Sequence, residues 1–106
     1  MPFGLRDEDF KKIETVLRSY PKIQDAIIFG SRAKGTYRYG SDIDIALKGS
    51  IDLRLINDLL QAMDELFLPY TFDLVDYASI DNQEFREHID RVGMSLINKD
   101  TFQDLK

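Results

Sequence analysis

Apolar residues fall at helical spacing over 7–19, where Phe10, Ile13, Val16 and Leu17 share one face behind a run of acidic residues. Acidic side chains favour a helix N-terminus because they meet the positive end of its dipole, so this stretch predicts a first amphipathic helix, closed by Pro21. Ala26, Ile27, Ile28 and Phe29 then form a short continuous apolar run. Such a run suits a central strand buried on both faces, and it ends at Gly30 and Ser31. Over 42–48 polar and apolar residues alternate with period two, which makes this the clearest strand in the chain.

Leu53, Ile56, Leu59, Leu60, Met63 and Phe67 lay a wide apolar stripe along a further helix, with Ser50 available as its cap and Pro69 as its stop. Alternation resumes over 70–75, and Asp81 or Asn82 can cap a last helix carrying Phe85, Ile89, Val92 and Leu96 on one face. The predicted order is helix, strand, loop, strand, helix, strand, helix. Helices alternating with strands imply an α/β (α+β) fold, a small mixed β-sheet packed with helices. Three strands are visible, and the polar, glycine-punctuated loop over 31–41 leaves room for a fourth.

With 106 residues, 43% of them hydrophobic, and no repeat or low-complexity tract, the expectation is one compact domain over 1–106. The chain has no cysteine, which removes disulfides and thiolate metal sites and makes a reducing cytoplasm the default. No stretch has the apolar length of a signal peptide core or a membrane span, so we expect a soluble, unprocessed protein. Fourteen Lys and Arg against nineteen Asp and Glu give a net charge of −5. That is the wrong sign for a protein that grips nucleic acid by neutralising phosphates, and stand-alone nucleic-acid binding is not expected.

Asp is disfavoured in strands, yet Asp42 and Asp44 sit at i and i+2 of the best one, so both carboxylates leave the same face with Cα atoms roughly 6.5 Å apart. Ile43, Ile45 and Leu47 take the core face. Two like charges held that close call for a cation between them. Magnesium fits, because it takes oxygen ligands, is often held by one or two carboxylates, and completes its shell with water and substrate phosphates. The plain alternative is a pair of solvated carboxylates at a strand start, paired with Arg38 or Lys48.

The surroundings favour the chemical reading. Gly30 lets backbone N–H groups approach a phosphate and Ser31 adds a hydroxyl, at a strand end of the kind where α/β sheets bind ligands. The alternative there is a tight turn with a helix cap. Arg32 and Lys34 follow, able to clamp a polyphosphate by a guanidinium fork and a point charge or to serve as ordinary surface residues. In the next strand Phe72 and Leu74 claim the core, which turns Asp73 toward the side of Asp42 and Asp44. Asp76 falls past the strand end, where a turn or cap role is favoured. Three carboxylates on one sheet face beside such a turn meet the needs of two-metal in-line displacement.

These residues form a known pattern. The span GSRAKGTYRYGSDID over 30–44, with Asp73 on a later strand, resembles the nucleotidyltransferase superfamily related to DNA polymerase β, and the compact size resembles its minimal branch, MNT. Within the span nothing departs from the family pattern, Gly35 and Ser41 included; beyond it only Asp73 carries the likeness. The resemblance implies that Asp42 and Asp44 ligate two Mg²⁺ ions, that Asp73 completes one metal site and helps activate the acceptor hydroxyl, and that Gly30 and Ser31 hold the triphosphate. It further implies ATP as donor and a role as antitoxin of a HEPN-domain toxin, whose tyrosine accepts AMP. Larger members present the acceptor on an additional domain, so here we expect the acceptor site to be shared with another chain.

Two rivals remain: an antitoxin that neutralises its partner by contact alone, and transfer to a small molecule in a dimer pocket. Tyr37 and Tyr39 around Arg38 suit loop packing or base stacking. His88 has no second histidine and reads as structural. Asp58, Asp64 and Glu65 read as a solvated helix face.

Overall fold

The computed structural model describes residues 2–35 and 42–98. A 3₁₀ turn, Pro2–Gly4, leads into helix α1, Asp7–Arg18, and strand β1, Ile23–Phe29; a five-residue helix α2, Gly30–Lys34, follows at once. After the next strand, β2, Ile43–Gly49, come helix α3, Leu53–Asp64, and strand β3, Phe72–Asp76. A second 3₁₀ turn, Tyr77–Ser79, leads to helix α4, Gln83–Val92, and strand β4, Met94–Asn98. The described strands form one sheet in the order β3-β2-β1-β4. β1 runs antiparallel to both β2 and β4, whereas β2 and β3 are parallel. A parallel pair needs a crossover rather than a hairpin, and α3 supplies it.

The two faces of the sheet bury different sets. Ile43, Ile45 and Leu47 of β2 are wholly buried with Ala26 and Ile28 of β1, under Ile13 and Leu17 of α1 and Leu59 and Met63 of α3. The intervening positions face the other way, where Phe29 and Ala46 meet Ile89 of α4, with Ile27, Val75 and Phe85 around them. β1 is therefore covered on both sides, as its unbroken apolar run implies, whereas β2 and the start of β3 show their alternation openly.

Several expectations need correcting. A fourth described strand is β4, one residue after α4; the stretch expected to be a loop opens with α2, and its positions 36–41 lie outside the described residues. Leu96, placed by its spacing on the last helix, belongs to β4 and packs into the larger core. Gly93 permits the abrupt exit, since a Cβ there would stand 2.4 Å from both Cγ2 of Ile27 and the carbonyl oxygen of Ile89. Ser50 does not cap α3: its N–H is held by the carbonyl of Lys22 at 3.0 Å, still tied to the sheet. Asp52 caps instead, its carboxylate accepting from the Leu55 N–H at 2.8 Å. Phe67 lies beyond α3 in a left-handed turn (φ 55°) and is 91% exposed, so it adds nothing to the helix's apolar stripe. At the last helix Asn82, not Asp81, is the cap, accepting from the Phe85 N–H at 2.9 Å.

Candidate active site

Asp44 lies in the second position of β2, where its partners are fixed on both sides. Across the antiparallel pair it faces Phe29, and across the parallel pair it faces Asp73. Since side chains alternate along each strand, Asp44 and Asp73 point to the α4 side, away from Ile43 and Leu74. Phe29 is buried there against Phe85, ring centroids 5.6 Å apart in an edge-to-face contact. Asp44 thus sits at the rim of an apolar face. That burial pushes its carboxyl above the ordinary range, and the charges of Asp73 and then Asp42 push it in the same direction.

The end of β1 closes over this carboxylate. Gly30 has φ +73°, a conformation costly for any residue with a Cβ, and a Cβ there would stand 2.5 Å from Oδ2 of Asp44. Gly30 opens α2, whose end is closed by Gly35 in the left-handed conformation (φ 81°), its N–H donating to the Ser31 carbonyl. Glycines at both ends thus let a single helical turn fit between the end of β1 and the residues that follow, with Ser31 half-buried within it.

Asp42 stands one residue before β2 and is exposed. Its Oδ1 accepts a hydrogen bond from the hydroxyl of Thr71, one residue before β3. The same Thr71 accepts the Ile43 N–H on its carbonyl at 2.8 Å, the first rung of the β2–β3 ladder. Two cross-strand pairs therefore stack on one face: Asp42 with Thr71, then Asp44 with Asp73. A cleft of about 740 Å³ lined by Leu60, Met63, Phe67, Tyr70 and Phe72 reaches this row only at Thr71.

The basic residues divide. Lys34 is exposed at the end of α2. Arg32 is buried, 3% exposed; its Nη1 donates to the Phe3 carbonyl at 2.9 Å and its guanidinium lies 5.2 Å from the centre of the Tyr70 ring. The fork that the sequence suggests for a polyphosphate is turned inward. Beneath it lies a cluster that the sequence did not reveal. Asp9, read only as helix-starting acid, is fully buried and accepts from Arg6 Nε at 3.1 Å and from the Tyr70 hydroxyl at 3.1 Å. Burial foremost, and then the bond to Asp9, raise the Tyr70 phenol. No local signal marks such a pairing, because Asp9 and Tyr70 are 61 positions apart. Thr71 did carry a signal: alternation set it on the face of Asp73.

Asp76 closes β3 and serves the following turn, accepting from the Ala78 N–H at 3.2 Å and the Ser79 hydroxyl at 2.7 Å. His88 is half-buried in α4, and Asp58, Asp64 and Glu65 are exposed, in keeping with a solvated face. Tyr37, Arg38, Tyr39 and Ser41 lie outside the described residues. Among the described residues no helix is long and apolar enough to cross a membrane. Nor do any three acidic or imidazole side chains there close into a group that could hold a metal on its own. Magnesium does not require that, since one or two carboxylates suffice when substrate phosphates supply the remaining oxygens; the hard oxygen donors of Asp42, Asp44 and Asp73 and the Cβ-free approach at Gly30 suit it.

The family model described as Polymerase beta, Nucleotidyltransferase matches residues 11–102. The probable protein adenylyltransferase MntA of Haemophilus influenzae is 30% identical over 98 residues, 91% of this chain and 85% of that protein. Among solved structures, a toxin–antitoxin crystal structure with AMP-PNP is similar with a TM-score of 0.71 and 29% identity, over 91% of this chain and 78% of that one. A structure of tri-AMPylated Shewanella oneidensis HEPN toxin in complex with MNT antitoxin matches with a TM-score of 0.67 and 25% identity, over 95% and 79% of the two chains.

Proposed function

Because the chain belongs to the Polymerase beta nucleotidyltransferase family, we propose that it is a protein adenylyltransferase that moves AMP from ATP to a hydroxyl of a partner, a tyrosine of a HEPN-domain toxin, and so acts as its antitoxin. The observation that carries this reading is the pairing of Asp44 with Asp73 across β2 and β3, beside the tight approach of Gly30 to Asp44. The likeness to MntA and to the AMPylated toxin complex supports the choice of donor and acceptor.

In this reading the acceptor oxygen attacks the α-phosphorus in line, a new P–O bond forms, the bond to the bridging oxygen breaks, and pyrophosphate leaves. Gly30 and Ser31 hold the triphosphate with backbone N–H and hydroxyl donors, and Lys34 adds a point charge from the end of α2. Arg32 acts from behind, fixing α2 to the N-terminal segment. Asp42, Asp44 and Asp73 would hold magnesium, which would supply positive charge to offset the charge that develops on the reacting oxygens. Asp73 accepts the proton of the attacking hydroxyl. Burial foremost, and then the like charges around it, raise the Asp44 carboxyl in the free protein; those charges are of use here, because they make an oxygen-rich site that a cation neutralises. We place the reaction in the cytoplasm, in keeping with a chain that lacks cysteine.

The test is incubation of the protein with the purified partner toxin, magnesium and ATP labelled at the α-phosphate. Label on the partner, lost with Asp44→Asn, is the expected result. Neutralisation of the toxin with no label transferred would instead establish an antitoxin that works by contact.

A further inference from the structure

Asp44 and Asp73 are held by the sheet itself, each inside the β2–β3 ladder, but Asp42 stands one residue outside it. Its carboxylate is anchored from the neighbouring strand. The Thr71 hydroxyl donates to Oδ1 of Asp42, and the Thr71 carbonyl takes the N–H of Ile43, so a single residue fixes both the side chain of Asp42 and the backbone that follows it. We propose that Thr71 is the positioning residue of the site, setting the carboxylate of Asp42 for the cation and its nucleotide; this rests on the reading of Asp42 as a metal ligand given above. A neutral donor suits the place. The position faces a row already holding three carboxylates, where an acidic neighbour would add repulsion and a cationic one would compete with the metal. A hydroxyl occupies one lone pair of Asp42 and leaves its charge intact, the outer-shell arrangement that commonly orients metal-binding carboxylates. Thr71 is itself exposed, so its side chain adds little to the core.

Thr71→Val keeps the shape and removes the hydroxyl, Thr71→Ala removes hydroxyl and methyl, and Thr71→Ser keeps the hydroxyl. Two quantities separate them: Mn²⁺ affinity of the nucleotide-free protein by calorimetry, and the magnesium concentration for half-maximal transfer at saturating ATP. Outer-shell losses typically cost about 10–100-fold in metal affinity. We expect Val and Ala to weaken both quantities by roughly that factor, with Ser within about threefold of the parent and all melting temperatures close. Val and Ala binding metal like the parent would overturn the assignment, as would Ser failing along with them. Should Val fold poorly, Ala and Ser decide the matter between them. Asp44→Asn run alongside separates the two levels: if it keeps full turnover, the reading of the site fails; if it is dead while Thr71→Val matches the parent, only the role of Thr71 fails.

Discussion

Gly30 and Asp44 pack so closely that a Cβ on the glycine would stand 2.5 Å from Oδ2 of the aspartate. The end of β1 is thereby pressed against a carboxylate of β2, and any side chain at position 30 must displace it. The backbone adds a second objection, because φ +73° strains any other residue. Gly30→Ala is therefore expected to cost more than about 1 kcal/mol of stability in denaturant unfolding. It should also lower transfer kcat/KM by on the order of 10²-fold, the scale of a displacement of about 1 Å in an active site. A variant with normal transfer would show that the contact with Asp44 is not needed for chemistry.

Asp44 predicts an unusual pH dependence. Burial and two neighbouring carboxylates raise its carboxyl in the folded chain above the ordinary 3.8. The folded state therefore holds its proton to higher pH than the unfolded state does. In linkage terms, stability falls as pH rises from 3.8 through the folded value, and the ionised group opposes folding at neutral pH. Asp44→Asn should melt higher than the parent at pH 7 without metal, and the gain should vanish below pH 3.8. The same variant should transfer no AMP. Melting curves across pH check the first part, and a gain that persisted in acid would assign it to some cause other than the carboxylate's charge.

The two basic residues of α2 should separate by experiment. Arg32 is buried against Phe3 and Tyr70, and lysine reproduces neither its fork nor its stacking. Arg32→Lys is expected to lower stability by about 1–3 kcal/mol, the cost of buried polar groups left unpaired. Tyr70→Phe, which removes one partner of the fully buried Asp9, should cost a similar amount, about 1–3 kcal/mol. Lys34→Ala should leave stability within about 0.5 kcal/mol, as exposed substitutions do, and raise KM for ATP. Nucleotide titrations with thermal melts distinguish these outcomes, and an unchanged melt for Arg32→Lys would contradict the inward role.

What the sequence disclosed follows from the range of the forces involved. The faces of β2 and β3 were legible, because period-two alternation needs only neighbouring residues; Ile43, Ile45 and Leu47 lie where it puts them, and Asp73 pairs with Asp44. Elements set by competition between distant segments were not. Ser50 is as good a cap as Asp52 in isolation, but the Lys22 carbonyl already holds it. Leu96 fits a helical stripe as well as a strand, and only the edge of β1 and the small Gly93 decide for β4. Arg32 shows the limit most clearly: a guanidinium beside a glycine turn reads as a phosphate ligand until Phe3 and Tyr70 are found around it.

Asp73 and Asp76 offer the sharpest contrast on one strand. They lie three residues apart, so alternation sets them on opposite faces, and a strand of that length separates their Cα atoms by roughly 10 Å. Asp76 spends both oxygens on Ala78 and Ser79, shaping the turn that leads toward α4. Losing it in Asp76→Ala should cost about 1 kcal/mol, as for a helix cap, with kcat unchanged once the protein is folded. Asp73 faces Asp44 and is exposed, so Asp73→Asn keeps nearly the same shape while removing the base that takes the acceptor's proton. The expected loss in kcat is on the order of 10²–10⁴-fold with little change in melting temperature. Single-turnover transfer to the partner, measured for both variants at one temperature, compares the two directly. A collapse of transfer in Asp76→Ala with Asp73→Asn unaffected would exchange the roles of the two residues and move the chemistry to the opposite face of β3.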